Sequence, residues 1–551
     1  MSIKTLYEGH YRALETDFLE LAGEILARGE QLTVVAAGSG QLDRLRELLL
    51  EKSTGGIIGG VKFLPGIRHL ASELSAVPLS METVSHADRT LFTLRAMEVI
   101  EQGEPLCNLR NNSETAHSMG MFFESLFEHG VTPEIYEQTS LSLSGEQSKT
   151  ENVIGRVFGK YSAHRAKHYT SCGDMIMEKA LPHEEAGATV FYGFYDLNPS
   201  QRRFLRKFFN HRSRIFWFSP LEENSQWNKV YSRTRNLLEK HDIASIRMPG
   251  GMEAMNPFAN FFEALPRQSR PSVPADGFCI TAVSGEMGAS RAVLRRIAEL
   301  NTKHNIPFSE IAVIRRKIEG DSLVRLAHHE GVPTTSSLKV ILSTLPVGKF
   351  VLDLAGINEG DFHYTLIEEL LSGAILTDDL NPGPLEITRI AETSGILMGR
   401  EQWRDWFTSL DGGDKLGRLM RKLDAFYSAL PDVAVPADYL NRLKDLVEDI
   451  SVGELPEDLM EALFDPKSFR WDREVSWMQF IDALRLYYRN ENIVLRDGAR
   501  HGFQILTIEK ARGSVFSSVI LMDLEEGVYP RPSIEDPRLS DELRKKLQMT
   551  L

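Results

Sequence analysis

Cysteine is scarce: Cys107, Cys172 and Cys279 lie far apart in 551 residues and form no C-x-x-C pair. That spacing excludes a disulfide framework and a zinc knuckle, and it makes a reducing cytosol the simplest compartment. Long apolar runs are missing too. None approaches the ~18 residues that cross a bilayer, so no membrane partner is expected. The opening Met1-Ser2-Ile3-Lys4-Thr5 lacks the apolar core of a secretory leader. Positive charge is in deficit, with 63 Lys and Arg against 77 Asp and Glu, for a formal net charge of −14. A protein that coats duplex DNA with its whole surface is thereby excluded, because duplex affinity is built from many Lys/Arg–phosphate contacts. A local basic groove is not excluded. Internal repeats and low-complexity segments are absent, as are G-x-S-x-G, H-E-x-x-H and E-x-K.

What is present is an ordinary globular composition, 42% hydrophobic and 25% charged, long enough for three or four domains or two large ones with insertions. Gln31 to Gly38 reads as a buried strand, followed by Ser39-Gly40 and a helix over Gln41 to Glu51. That is the strand–loop–helix opening of a nucleotide-binding α/β unit. Val61 to Phe63 and a helix from about Pro65 to Leu74 read as the next step. Residues from about 85 to 185 turn helical, with Met119, Met121, Phe122 and Leu126 at three-to-four spacing. Strands return at Ala188 to Phe194 and Ile215 to Phe218. Pro, Gly and Ser crowd residues 249 to 277, which reads as a linker. Beyond it come a strand over Phe278 to Ala282, a helix over Ser290 to Lys303, and the strand Ile311 to Ile314. Helices dominate from about 350 to 495, and Phe503 to Leu506 resumes the sheet. The fold class is α/β. Residues 1–270 form one parallel-sheet unit with a helical insertion at about 85–185. Residues 275–350 and 500–551 form a second, with an insertion at about 350–500.

The most specific stretch is Gly502-Phe503-Gln504-Ile505-Leu506-Thr507-Ile508-Glu509-Lys510-Ala511-Arg512-Gly513. An apolar run over Val519 to Met522 follows, then Val528-Tyr529-Pro530 and Glu535 to Glu542. It reads as a strand, a tight basic turn offering N–H groups and an Arg to a phosphate, and a second strand apolar throughout, as expected of a buried parallel strand. This order resembles motif V of superfamily 1 DNA helicases of the UvrD/Rep/RecB type. It is still more similar to the B subunit of AddAB/RexAB-type helicase-nucleases, where R-G replaces the helicase K-G. The resemblance covers essentially the whole chain. It implies two RecA-like (P-loop NTPase-like) domains in a 1A/1B and 2A/2B arrangement, with ATP between them.

The nucleotide site that the resemblance implies is degenerate in this sequence. A Walker A loop needs G-x-x-x-x-G-K-[ST], in which Lys neutralises phosphate and the hydroxyl binds Mg²⁺. The matching stretch carries Gly38, Gly40, Gln41 and Leu42. A neutral amide cannot offset triphosphate charge, and Leu42 offers the metal no oxygen. The Asp-Glu of the helicase motif V-D-E-F-Q-D-T-N-x-x-Q is replaced by Tyr192-Gly193, although Asp196, Asn198 and Gln201 keep register. In the helicase G-L-E-F the ribose-contacting Glu has become Val515. The expectation is a helicase fold without a motor, carrying no cofactor of its own.

Features facing DNA are better kept. Thr507, Arg512 and Gly513 resemble a backbone-phosphate contact. Arg202, Arg203, Arg206 and Lys207, with Arg212 and Arg214, form a basic segment that reads either as a DNA contact or as a solvated helix face. Arg315-Arg316-Lys317 ends a strand where helicase-like folds place the motif IV arginine, or forms a plain surface turn. Phe191, Tyr192, Phe194 and Tyr195 read as strand core, or as stacking faces for bases. The resemblance further implies weak binding of single-stranded DNA and docking on an AddA/RecB-like motor subunit that supplies ATP and Mg²⁺, in a cytoplasmic exonuclease of double-strand-break repair. Some relatives also scan for a recombination hotspot. The family nuclease, a PD-(D/E)XK domain with Mg²⁺ and often an iron–sulfur cluster, follows this region. The only D-x-K here, Asp465-Pro466-Lys467, has a proline where that motif needs a strand. A helix begun at Ser540 runs to the last residue, so the sequence reads as part of a longer gene product. An active DNA-dependent ATPase and a scaffold without a DNA role are the competing readings.

Overall fold

The computed structural model describes residues 3–9, 11–53, 59–81, 83–140, 145–171, 187–194, 197–211, 214–220, 232–241, 244–247, 279–316, 322–373, 375–409, 414–453, 455–511, 514, 516–525, 527–528 and 547. Its N-terminal part is a six-stranded sheet built from β1 (Ile3–Gly9), β2 (Leu32–Ala36), β3 (Val61–Pro65), β4 (Ala188–Tyr192), β5 (Arg214–Pro220) and β6 (Ala244–Arg247). The order is β3-β2-β4-β5-β1-β6 and every pairing is parallel. Helices α1 (Tyr11–Ala27) and α2 (Ser39–Lys52) cover one face through Leu14, Phe18, Leu42 and Leu45. On the other face α3 (Ile67–Ser75), α8 (Pro199–His211) and α9 (Ser232–Glu239) pack through Leu70, Phe204, Phe208 and Leu237. Cover on both faces explains why β2 and β4 are apolar without alternation. β1, an inner strand, is hidden in the sequence by Lys4 and Glu8. The Lys4 Nζ donates to the carbonyl oxygen of Phe209 at 3.1 Å, so its charge is accommodated at the end of α8.

Between β3 and β4 the chain forms α4 (His86–Met97), α5 (Ser113–Glu128), α6 (Pro133–Ser140) and α7 (Gly145–His168). A second sheet is parallel, in the order β12-β7-β13, from β7 (Ile311–Ile314), β12 (Gln504–Leu506) and β13 (Ser518–Leu521). Residues nearly two hundred positions apart in sequence thus share one sheet. The helices Gly285–His304 and Ser322–Glu330 cover it through Val293, Ile297 and Leu323. The insertion between β7 and β12 is mostly helical. It also holds β8 (Leu338–Ile341) paired antiparallel with β11 (Asn492–Arg496), and the two-residue pair β9 (Val433–Ala434) and β10 (Val475–Ser476). The two helical insertions share a single apolar core running from Val84 through Phe158 to Tyr488. Asp88 at the start of α4 accepts the backbone N–H groups of Arg470 and Trp471 at 2.9 and 3.0 Å, which joins the insertions by hydrogen bonds as well.

Two sequence expectations are corrected. Of the strand expected over Phe278 to Ala282, residues 279–282 belong to no strand, and Ile280 is 82% exposed. Apolar β-branched residues make a strand only where a neighbouring ladder receives them, and none does here. β13 is not a buried strand: it pairs only with β7, and Val519 and Leu521 are 48% and 52% exposed. An edge strand has one free side, and no described helix covers this face of it. The linker at 249–277, the segment Tyr529 to Glu542 and the helix begun at Ser540, apart from Leu547, lie outside the described residues.

Candidate functional site

In an open parallel sheet, ligands bind at the carboxyl ends of the strands where the strand order reverses. Here β2 leads to β3 on one side and β4 leads to β5 on the other, so the switch point lies between β2 and β4. The loop after β2 enters α2 through Gly38, at φ −141° and ψ 153°, with the Leu42 N–H donating to the Gly38 carbonyl at 3.2 Å. Gln41, only 3% exposed, lies directly over Gly193 at the end of β4. A Cβ placed on Gly193 would stand 2.5 Å from the Gln41 Nε2, and Gly193 sits at φ +77°. An Asp or Glu at this position would therefore meet both a steric and a backbone obstacle. Leu42 and Tyr192 are buried in the core beside Phe18 and Phe218, with the Tyr192 ring 5.8 Å from that of Phe218. These residues do not fit ATP–Mg²⁺. They supply no cation for the phosphates and no oxygen for the metal, and their side chains fill the switch point. Among the described residues, no group of three or more His, Cys, Asp or Glu is arranged to hold a metal ion.

The second sheet meets the first at this place. Thr507, after β12, bonds into the short helix Ile508–Ala511: its carbonyl accepts from Ala511 at 2.9 Å and its Oγ1 from Lys510 at 3.4 Å. A Cβ on Gly40 would lie 3.5 Å from the Ser514 Oγ and 3.8 Å from the Lys510 carbonyl oxygen, which is ordinary contact distance. The loop resembling Walker A thus abuts the turn resembling motif V. Arg512, Gly513, Val515 and Asp196 lie outside the described residues, as do Tyr195, Lys317 and Arg212.

Asn198 and Gln201 have a local structural role. The Asn198 Oδ1 accepts the Gln201 N–H at 2.8 Å, and the Gln201 Oε1 accepts the Asn198 N–H at 3.1 Å. That is a reciprocal capping box, with Pro199 at the first helical position of α8. Along α8, Phe204, Leu205, Phe208 and Phe209 face the core while Arg203 and Arg206 are exposed. Arg202 is half-buried and donates to the Leu197 carbonyl at 2.6 Å. Arg214 pairs with Glu30. Arg315 is 7% exposed and grips Asp523 with Nε and Nη2 at 3.1 and 3.2 Å, which ties β7 to the end of β13. Arg316 is exposed and donates to the Val528 carbonyl at 2.6 Å. Phe191, Tyr192 and Phe194 are core residues of the first sheet, where no base can reach them.

A cleft that no motif announces opens beside the capping box. Arg68 from α3, Arg89 from α4, Glu124 and Glu128 from α5, Arg165 from α7, and Asn198, Ser200 and Gln201 from α8 line it. Its residues come from five elements, so no spacing in the sequence marks it. No protein-family model matches this chain, and no curated protein is similar enough to it to count as a relative.

Proposed function

We propose that this chain is a helicase-like DNA-handling protein without a motor, of the AddB/RexB type, built on two RecA-like domains. The reading is carried by Gln41 packed against Gly193 at the switch point of the first sheet. A nucleotide site that has lost its function no longer selects for a cavity, and burial of a neutral amide and a tyrosine there stabilises the closed packing. The close approach of the Gly40 loop to Ser514, where ATP would lie between the two sheets, supports the same reading. In this proposal the chain guides a single strand along Arg203, Arg206, Arg316 and the Thr507 turn. It draws ATP-driven movement from an AddA/RecB-like partner and acts in repair and recombination of double-strand breaks.

The test is an ATPase assay with purified chain, with and without single-stranded DNA. Turnover stays far below the ~1–1000 s⁻¹ of ordinary enzymes in both arms if the reading holds. DNA-stimulated turnover in that range would mean an active motor.

A further inference from the structure

The cleft between the first sheet and the helical insertion contains a buried cation, Arg89, that forms no ion pair with any described carboxylate. Arg89 is 7% exposed. Its Nη1 meets the His86 Nδ1 at 3.3 Å and the Met121 sulfur, and its Nη2 donates to the Val84 carbonyl at 3.0 Å. All these partners are neutral, and the buried Nε has none. The other two arginines of the cleft are matched: Arg165 with Glu124 at 2.9 Å, and Arg68 with Glu128 at 3.2 Å. Among the described lining residues three guanidiniums face two carboxylates, and the one outside both ion pairs is Arg89, which is as buried as Arg165. The amino end of the 13-residue helix α8 opens on the same cleft and adds the positive end of its dipole. A buried guanidinium hydrogen-bonded only to neutral groups is costly unless a counter-charge completes it. The fold makes room for it: a Cβ on Gly120 would stand 2.4 Å from the Arg89 Cγ, so only glycine lets α5 pass this side chain.

We propose that this cleft, open to solvent, binds the oxyanion of a phosphate group, with Arg89 as its anchor and Arg68 and Arg165 beside it. Planar guanidinium donors and a helix amino terminus are the groups that recognise phosphate oxygens. The phosphate comes either from the end of a nucleic-acid strand or from a free phosphate or small phosphate ester. The site does not depend on the proposed DNA role, since free phosphate alone tests it.

Inorganic phosphate is titrated into the whole chain by calorimetry at constant ionic strength, with wild type, Arg89→Gln and, as control, Arg296→Gln on an exposed helix face. The expected result is saturable binding that weakens roughly tenfold or more in Arg89→Gln and is unchanged in Arg296→Gln. Competition by a 5′-phosphorylated oligonucleotide but not its 5′-hydroxyl twin assigns the source to a strand end. Competition by neither assigns it to a free phosphate or ester. If Arg89→Gln fails to fold, the wild type still decides: phosphate must raise its thermal midpoint above that in chloride of equal ionic strength. No saturable binding, no such protection, or equal affinity in wild type and Arg89→Gln overturns the proposal.

Discussion

A lysine at position 41 would carry its ammonium into a place now 3% exposed and packed on Gly193. Gln41→Lys is therefore expected to lower stability in urea denaturation by about 2–4 kcal/mol and to create no ATP turnover. Gly193→Ala is expected to cost about 1–3 kcal/mol through its φ of +77° and the collision with Gln41. Full stability of both variants would show that the switch point is looser than its packing implies. That Gln stands at 41 and Tyr-Gly at 192–193, where the resemblance expects Lys and Asp-Glu, is a reading of motif spacing in the sequence. The packing of one replacement upon the other was not legible there, because they lie about 150 residues apart and meet only through the register of β2 and β4. Arg89 was illegible for a related reason: Val84 and His86 beside it are local, but the cleft it lines is built by α3, α5, α7 and α8, which are distant in sequence.

Among the elements, α8 and β13 give opposite lessons. The stretch Asn198-Pro199-Ser200-Gln201 matches the end of a helicase motif in the sequence, and in the structure it starts a helix. Asn198→Ala is expected to cost about 1 kcal/mol of stability, the usual loss of a cap, read as a lowered urea midpoint. β13 has the composition of a buried strand yet presents Val519 and Leu521 to solvent. Leu521→Ser should then change stability by only ~0.5 kcal/mol, whereas Ile505→Ser in the adjacent core should cost about 3 kcal/mol. Equal losses would mean that β13 is covered on both faces. The parallel strands and most helices of the α/β core were legible because apolar runs and helical periodicity are local signals. Edge or centre is decided by partners elsewhere in the chain, and no window of sequence contains them.

For the whole molecule, the shared core of the two helical insertions makes stability sensitive to acid. His86 and His164 are pushed down to about 4, first by burial and then by nearby positive side chains, Arg89 for His86 and Arg473 for His164. The unfolded chain takes up a proton at each near pH 6.5 while the folded one stays neutral, so their contribution is complete above that pH and is lost as pH falls towards 4. Asp88 and Asp353, both raised to about 6 chiefly by burial, act in the other direction between their ordinary value and 6. Between pH 6.5 and 4 the histidine contribution is lost, so acidification is expected to lower the thermal midpoint of His164→Gln less than that of the wild type. An unchanged slope would contradict this account of His164. The proposed strand-guiding, helicase-like role without a motor is checked by fluorescence anisotropy of a labelled single-stranded oligonucleotide over a series of salt concentrations, with and without ATP–Mg²⁺. The expected result is weak binding whose log K falls with log salt by ~0.7 for each phosphate contacted, identical in both arms. An affinity that ATP–Mg²⁺ changes, or no binding even at low salt, would contradict it.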